Sequence, residues 1–72
     1  MGTIKIMGEN LTTGTKKVIR EFHSFKDATT YGRILKKYLK DTNLKYEETL
    51  GFASICCVVG PNGHKYQFYY AF

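Results

Sequence analysis

The chain has 72 residues, 43% of them hydrophobic and 15% aromatic, with eleven basic residues against six acidic and a formal net charge of +5. This composition excludes a disordered tail and suits one folded domain, although a chain this short buries only about 60% of its unfolded surface. No stretch is long enough to span a membrane, and Lys5 interrupts the first apolar run where a signal peptide would have to continue.

Thr3 to Met7 alternates, with Ile4 and Ile6 on one face, and reads as a strand. Gly8 to Thr15 reads as a polar connection. Within it, Asn10-Leu11-Thr12 matches a glycosylation sequon without any sign of secretion. Thr12-Thr13-Gly14-Thr15 lacks the glycine–lysine signature of a phosphate loop and is taken as a turn. Lys16 to His23 reads as a second strand, hairpinned to the first. Val18, Arg20 and Phe22 share one of its faces, and Ile19 and Glu21 the other.

Ser24 to Asn43 is the one helix. Ser24-Phe25-Lys26-Asp27 has the S-x-x-[DE] form of a helix start, no proline follows, and Asp41-Thr42-Asn43 closes the run. On a wheel of about 100° per residue, Phe25, Ala28, Tyr31, Gly32, Leu35, Tyr38 and Leu39 form a buried stripe. Gly32 lies near its centre, costs roughly 1 kcal/mol of helix propensity against alanine, and is read as letting the helix approach a sheet closely. Lys26, Arg33, Lys36, Lys37 and Lys40 fall within an arc of about 100° on the same wheel. A solvated helix face commonly mixes signs, and this one does not.

Leu44 to Leu50 reads as a third strand, with Leu44, Tyr46 and Leu50 on one side and Glu48 intruding. Gly51 breaks the run. Phe52 to Val59 is apolar on both faces, the pattern of a central strand, or else continues the third strand through a bend. Gly60-Pro61-Asn62-Gly63 is the strongest turn signal. In His64 to Phe72, Tyr66, Phe68, Tyr70 and Phe72 share one face, and Lys65, Gln67, Tyr69 and Ala71 the other. The expected fold is α+β: a small antiparallel β-sheet of four to five strands, in the order ββαββ(β), with one amphipathic helix packed across one face. Ile19, Tyr69 and one face of Phe52 to Val59 are then expected on the uncovered side, as a stacking, dimer or partner surface.

Catalytic chemistry finds little support. Adjacent Cys56 and Cys57 cannot bridge without a distorted peptide, which points to a reducing, cytoplasmic setting, or a host cytoplasm for a phage-encoded protein. If Val59 faces His64 across the turn, Cys57 faces Tyr66, and neither cysteine meets a base. Two cysteines and the distant His23 and His64 lack metal-site spacing, and Glu47 and Glu48 point apart on a strand. No glycine pattern for a dinucleotide is present, so no enzyme activity, metal or cofactor is expected. The chain opens at Met1 and is read as a complete small gene product of the kind phages encode.

Gly51-Phe52-Ala53-Ser54-Ile55 resembles the start of the aromatic strand motif of RNA recognition motif domains, and Ile4-Lys5-Ile6 with Asn10-Leu11 resembles that family's first strand. The resemblance implies bases stacking on sheet aromatics, with Tyr69 the residue to test. Ser54 and Cys57 stand where the motif has aromatics, a strand follows the first strand, and a second helix is missing. The chain is therefore not assigned to that family.

Two readings of function follow. In the first, a non-enzymatic small basic protein contacts nucleic acid, DNA or RNA, through Lys26, Arg33, Lys36, Lys37 and Lys40, with Lys16 and Lys17 as accessories. In the second, a phage-like inhibitor or adaptor uses its sheet face or an edge strand against an acidic protein or a second copy of itself. A purely solvated basic face stands beside both.

Overall fold

A computed structural model of the chain describes residues 2–42, 44–47, 51 and 53–72. Its elements are β1 (Ile4–Asn10), β2 (Lys16–Phe22), α1 (Phe25–Asp41), β3 (Lys45–Glu47), β4 (Ser54–Val59) and β5 (Lys65–Ala71). All pairings are antiparallel, and the sheet order is β2-β1-β5-β4-β3. This is the α+β fold that the sequence pattern indicates, with α1 on one face. The apolar strand β4 has a neighbour on each side, while the middle position belongs to β5. The roles read for Asn43, Glu48, Leu50 and Phe52 lie outside the described residues.

β1 runs three residues further than its alternation suggests. Gly8 does not turn the chain: it pairs with Phe68, and Asn10 pairs with Tyr66. A glycine inside a strand marks close approach of another group. Here a Cβ on Gly8 would stand 3.1 Å from Ile19 Cδ1 and 3.3 Å from Phe68 Cε1. The turn follows at Leu11–Gly14, where the Thr12 and Thr13 amides donate to Asn10 Oδ1 (2.9 and 3.2 Å), the Gly14 amide to Asn10 O (2.7 Å) and the Thr15 amide to Thr13 Oγ1 (3.4 Å). All four amides are consumed within the loop, which leaves none for a phosphate. At the far hairpin Val59 pairs with Lys65 and Cys57 with Gln67. The connection is one residue longer than the Gly60–Gly63 turn alone, so Cys57 faces Gln67 and not Tyr66.

α1 begins where the local signal places it. The Ser24 hydroxyl accepts from the Asp27 amide at 3.3 Å, satisfying one of the free amides of the first turn. At the other end the Thr42 hydroxyl donates to the Leu39 carbonyl at 2.7 Å, and its extended backbone ends the helix. The helix leaves β2 on one edge of the sheet and delivers the chain to β3 on the other. Those edges lie about 19 Å apart across four strand spacings, and 17 helical residues span about 25 Å. α1 therefore crosses the sheet obliquely and leaves part of that face open.

The core lies between them. Ile6, Leu39, Ile55, Cys56 and Val58 are buried together, with Phe22, Tyr31, Leu35, Leu44, Tyr46, Tyr66, Phe68 and Tyr70 packed around them. Ala28 and Gly32 are buried in α1 as the wheel requires. Phe25 and Tyr38 are not: they are 56% and 67% exposed. A single helix on a sheet touches it along a narrow line, and these two residues flank the Ala28–Gly32–Leu39 seam on either side.

Cys56 and Cys57 are both buried and unbridged. Burial raises the Cys57 thiol above its ordinary value; Lys65 opposes this shift and Glu47 adds to it. A thiol held neutral in the fold titrates first in the unfolded chain, so its contribution to stability is full at neutral pH and declines as the pH rises above about 8.5. Native protein at pH 7.5 is expected to react with a thiol reagent only as fast as it unfolds. Labelling much faster than unfolding would contradict the burial.

Candidate nucleic-acid interface

Three flanks of α1 face different surroundings. Ala28, Gly32 and Leu39 point to the sheet. Tyr31 faces β2, its ring 5.4 Å from that of Phe22, and Arg20 stacks over both rings at 5.4 and 5.8 Å. Together with Ile34 and Asp27 these side chains line a shallow cleft between α1 and β2. The third flank, turned away from β2, carries the basic arc.

On that flank Lys26, Arg33, Lys37 and Lys40 are exposed and Lys36 is partly buried. Lys26, Arg33, Lys37 and Lys40 have no ion-pair partner among the described residues. Acidic side chains elsewhere do pair: Lys5 with Glu21 at 3.7 Å and Lys65 with Glu47 at 3.2 Å, both on the opposite face of the sheet. The arc thus keeps its field, and Arg33, Lys37 and Lys40 stand on neighbouring turns, where side chains three or four residues apart lie roughly 5–6 Å from one another. Arg33 and Lys36 also act on Tyr70, whose hydroxyl lies beneath Gly32. Burial raises the Tyr70 phenol above its ordinary value, and these two cations partly offset that.

Lys16 and Lys17 are exposed but do not join this arc. They sit on edge strand β2, to the side of α1 that Tyr31 faces, Lys17 on the helix-side face of the sheet and Lys16 on the opposite face. Lys16 pairs with Glu9, and Lys17 with Gly8. Arg20, which the alternation of β2 left among strand residues, is the cation nearest the helix on that side. Its aromatic neighbours are separated in sequence, and no local pattern reveals the stack.

Tyr69 lies on the face opposite α1, in a row with Met7 and Ser54. Ile19 does not. The register between β1 and β2 shifts between Ile6 and Met7, so Ile6 pairs with Arg20 and Met7 with Val18, and Ile19 is the extra residue of a β-bulge. The bulge turns the Ile19 side chain to the helix side, over Gly8 and against Phe68. Val18 takes its place in the Met7–Tyr69 row. The exposed edge of β2 also carries Lys16, Lys17, Arg20 and this bulge, which are features that discourage addition of a further strand.

Among the described residues no group of three or more His, Cys, Asp or Glu side chains is placed to hold a metal ion, and no helix is long and apolar enough to cross a membrane. Fold and surface together define a small α+β protein with one helix on a five-stranded antiparallel sheet and a single-sign flank on that helix. Compared with models of known families, with curated proteins and with solved structures, the chain matches none. Among the described residues α1 is the only helix, so the second helix of RNA recognition motif domains does not occur among them, and the Phe52 of that resemblance lies outside the described residues.

Proposed function

We propose that the protein is a non-enzymatic nucleic-acid-binding protein whose α1 lays its basic flank against a phosphate backbone. The observation that carries this reading is the group of Lys26, Arg33, Lys37 and Lys40, exposed on one flank without ion-pair partners among the described residues. Such contacts supply affinity and orientation more than sequence choice. Lys36 borders the group at the sheet, and Lys16 and Lys17 add to nucleic-acid binding through longer-range attraction and not through contact. Titrating a short duplex into 15N-labelled protein tests the placement. Amide shifts are expected along residues 26–40, with Tyr69 and Met7 unmoved. Shifts confined to the sheet face would refute it.

A second reading has its own observation. The row Val18–Met7–Tyr69 on the open sheet face joins half-buried and exposed apolar side chains between two ion pairs. A protein partner or a second copy would dock there, in the manner of a small inhibitor or adaptor. Sedimentation of wild type and Tyr69→Glu distinguishes it: a dimer lost in the variant supports this face, and a monomer that binds duplex supports the helix.

A further inference from the structure

The part of the helix-side face that α1 leaves open contains a groove of about 410 Å³. That is within the usual size of a small-molecule site, roughly 300–1,000 Å³. Its apolar lining is Ile19, Tyr66 and Phe68, with Gly8 between Ile19 and Phe68. The bulge in β2 brings Ile19 to this face, where it meets Phe68 above Gly8. Lys17, exposed and without an ion-pair partner among the described residues, is the one charged side chain on the rim, beside the Thr15 hydroxyl, which accepts from Thr13 Oγ1 at 3.1 Å and keeps its own proton to donate.

The rim is held in place. Asn10 Oδ1 accepts from two loop amides, which orients its Nδ2 to donate to His64 Nδ1 at 3.1 Å. The Leu11 amide donates to the Lys65 carbonyl (2.8 Å), and the Lys65 amide to Thr12 Oγ1 (3.1 Å). Loop and β5 are thereby tied together across 53 residues of sequence, and the concavity exists before any ligand arrives. Aromatic and aliphatic walls take a flat apolar body; a lone cation with one hydroxyl free to donate and no acid on the lining takes a negative group.

We propose that this groove binds a small aromatic monoanion, its ring packed against Ile19, Tyr66 and Phe68 and its anionic group at Lys17. The site is separate from the basic flank of α1. The test titrates 2-naphthoate and its uncharged counterpart 2-naphthamide, into the millimolar range, against 15N- and methyl-labelled protein. Saturable shifts are expected at Gly8, Ile19 and Phe68, with naphthoate bound about three- to five-fold more tightly than the amide, the contribution of one solvent-screened charge pair. Lys17→Glu, at an exposed position, is expected to keep the fold and abolish that preference. Gly8→Ala is expected to crowd Ile19 and Phe68 and weaken both probes; should it fail to fold, Lys17→Glu decides alone. Absence of saturable shifts, shifts centred on residues 26–40, or equal affinities for the two probes in wild type would overturn the proposal. So would an acidic, aromatic peptide binding more than about tenfold tighter than naphthoate, since the groove would then serve a protein side chain.

Discussion

Reversing Arg33, Lys37 and Lys40 together to glutamate is expected to weaken duplex binding by about two to three orders of magnitude at 0.1 M salt. Each phosphate contact contributes about 0.9 log units at that salt through counterion release, so the loss of three contacts alone gives about 500-fold, before repulsion from the new carboxylates. The three side chains are exposed and have no ion-pair partners among the described residues, so the fold does not depend on them. The exception is a few tenths of a kcal/mol at Lys40, which lies in the last helical turn and interacts favourably with the negative end of the helix dipole there. Matched circular dichroism of wild type and variant, with binding read by fluorescence polarisation, separates lost contact from lost fold. Unchanged affinity in a folded variant would remove α1 from the account.

The second large effect concerns how α1 is seated. Gly32→Ala is expected to destabilise the protein by about 1–3 kcal/mol, although on an exposed helix the same change would stabilise by roughly 1 kcal/mol. A Cβ at Gly32 would overlap the Tyr70 hydroxyl and stand 2.9 Å from the Tyr70 Cζ. Tyr70 cannot yield easily, because it is packed against the core that includes Ile6 and Cys56. The helix must then lift, and Ala28 and Leu39 lose contact with the sheet. For a domain of this size, with total stability of about 4–11 kcal/mol, that is a substantial fraction. Tyr70→Phe in the Gly32→Ala background is expected to recover part of the loss by removing the overlapping oxygen. Denaturant unfolding of the four combinations measures the coupling, and additive effects would mean that the two residues do not meet in the fold.

Where local chemistry decides, the sequence was readable. Ser24 and Asp27 announce the helix because a cap needs only three residues of spacing, and the close approach at Gly32 follows from a glycine in the centre of an apolar stripe. The faces of β5 follow from period two, since no irregularity interrupts Lys65–Ala71. The misplacements have physical causes as well. One extra residue at Ile19 exchanges strand faces beyond it, and nothing in Lys16–Phe22 marks that bulge, because its counterpart is a glycine on another strand. Gly8 reads as the start of a connection because the Ile19 and Phe68 side chains that require a glycine there lie on other strands. Phe25 and Tyr38 belong to the wheel's stripe yet face solvent, because a wheel cannot tell how narrow a sheet's contact with one helix is. The basic arc is visible from helical spacing alone, whereas its separation from Lys16 and Lys17 depends on the oblique path of α1 across the sheet.

The salt dependence of duplex binding decides whether α1 lies on a phosphate backbone. With the cations of the α1 flank engaging four to five phosphates, a plot of log K against log salt concentration is expected to fall with a slope of about −3.5 to −4.5. A shallow slope near zero, or no binding at about 50 mM salt where such contacts are strongest, would contradict the reading of α1 as a phosphate-backbone surface.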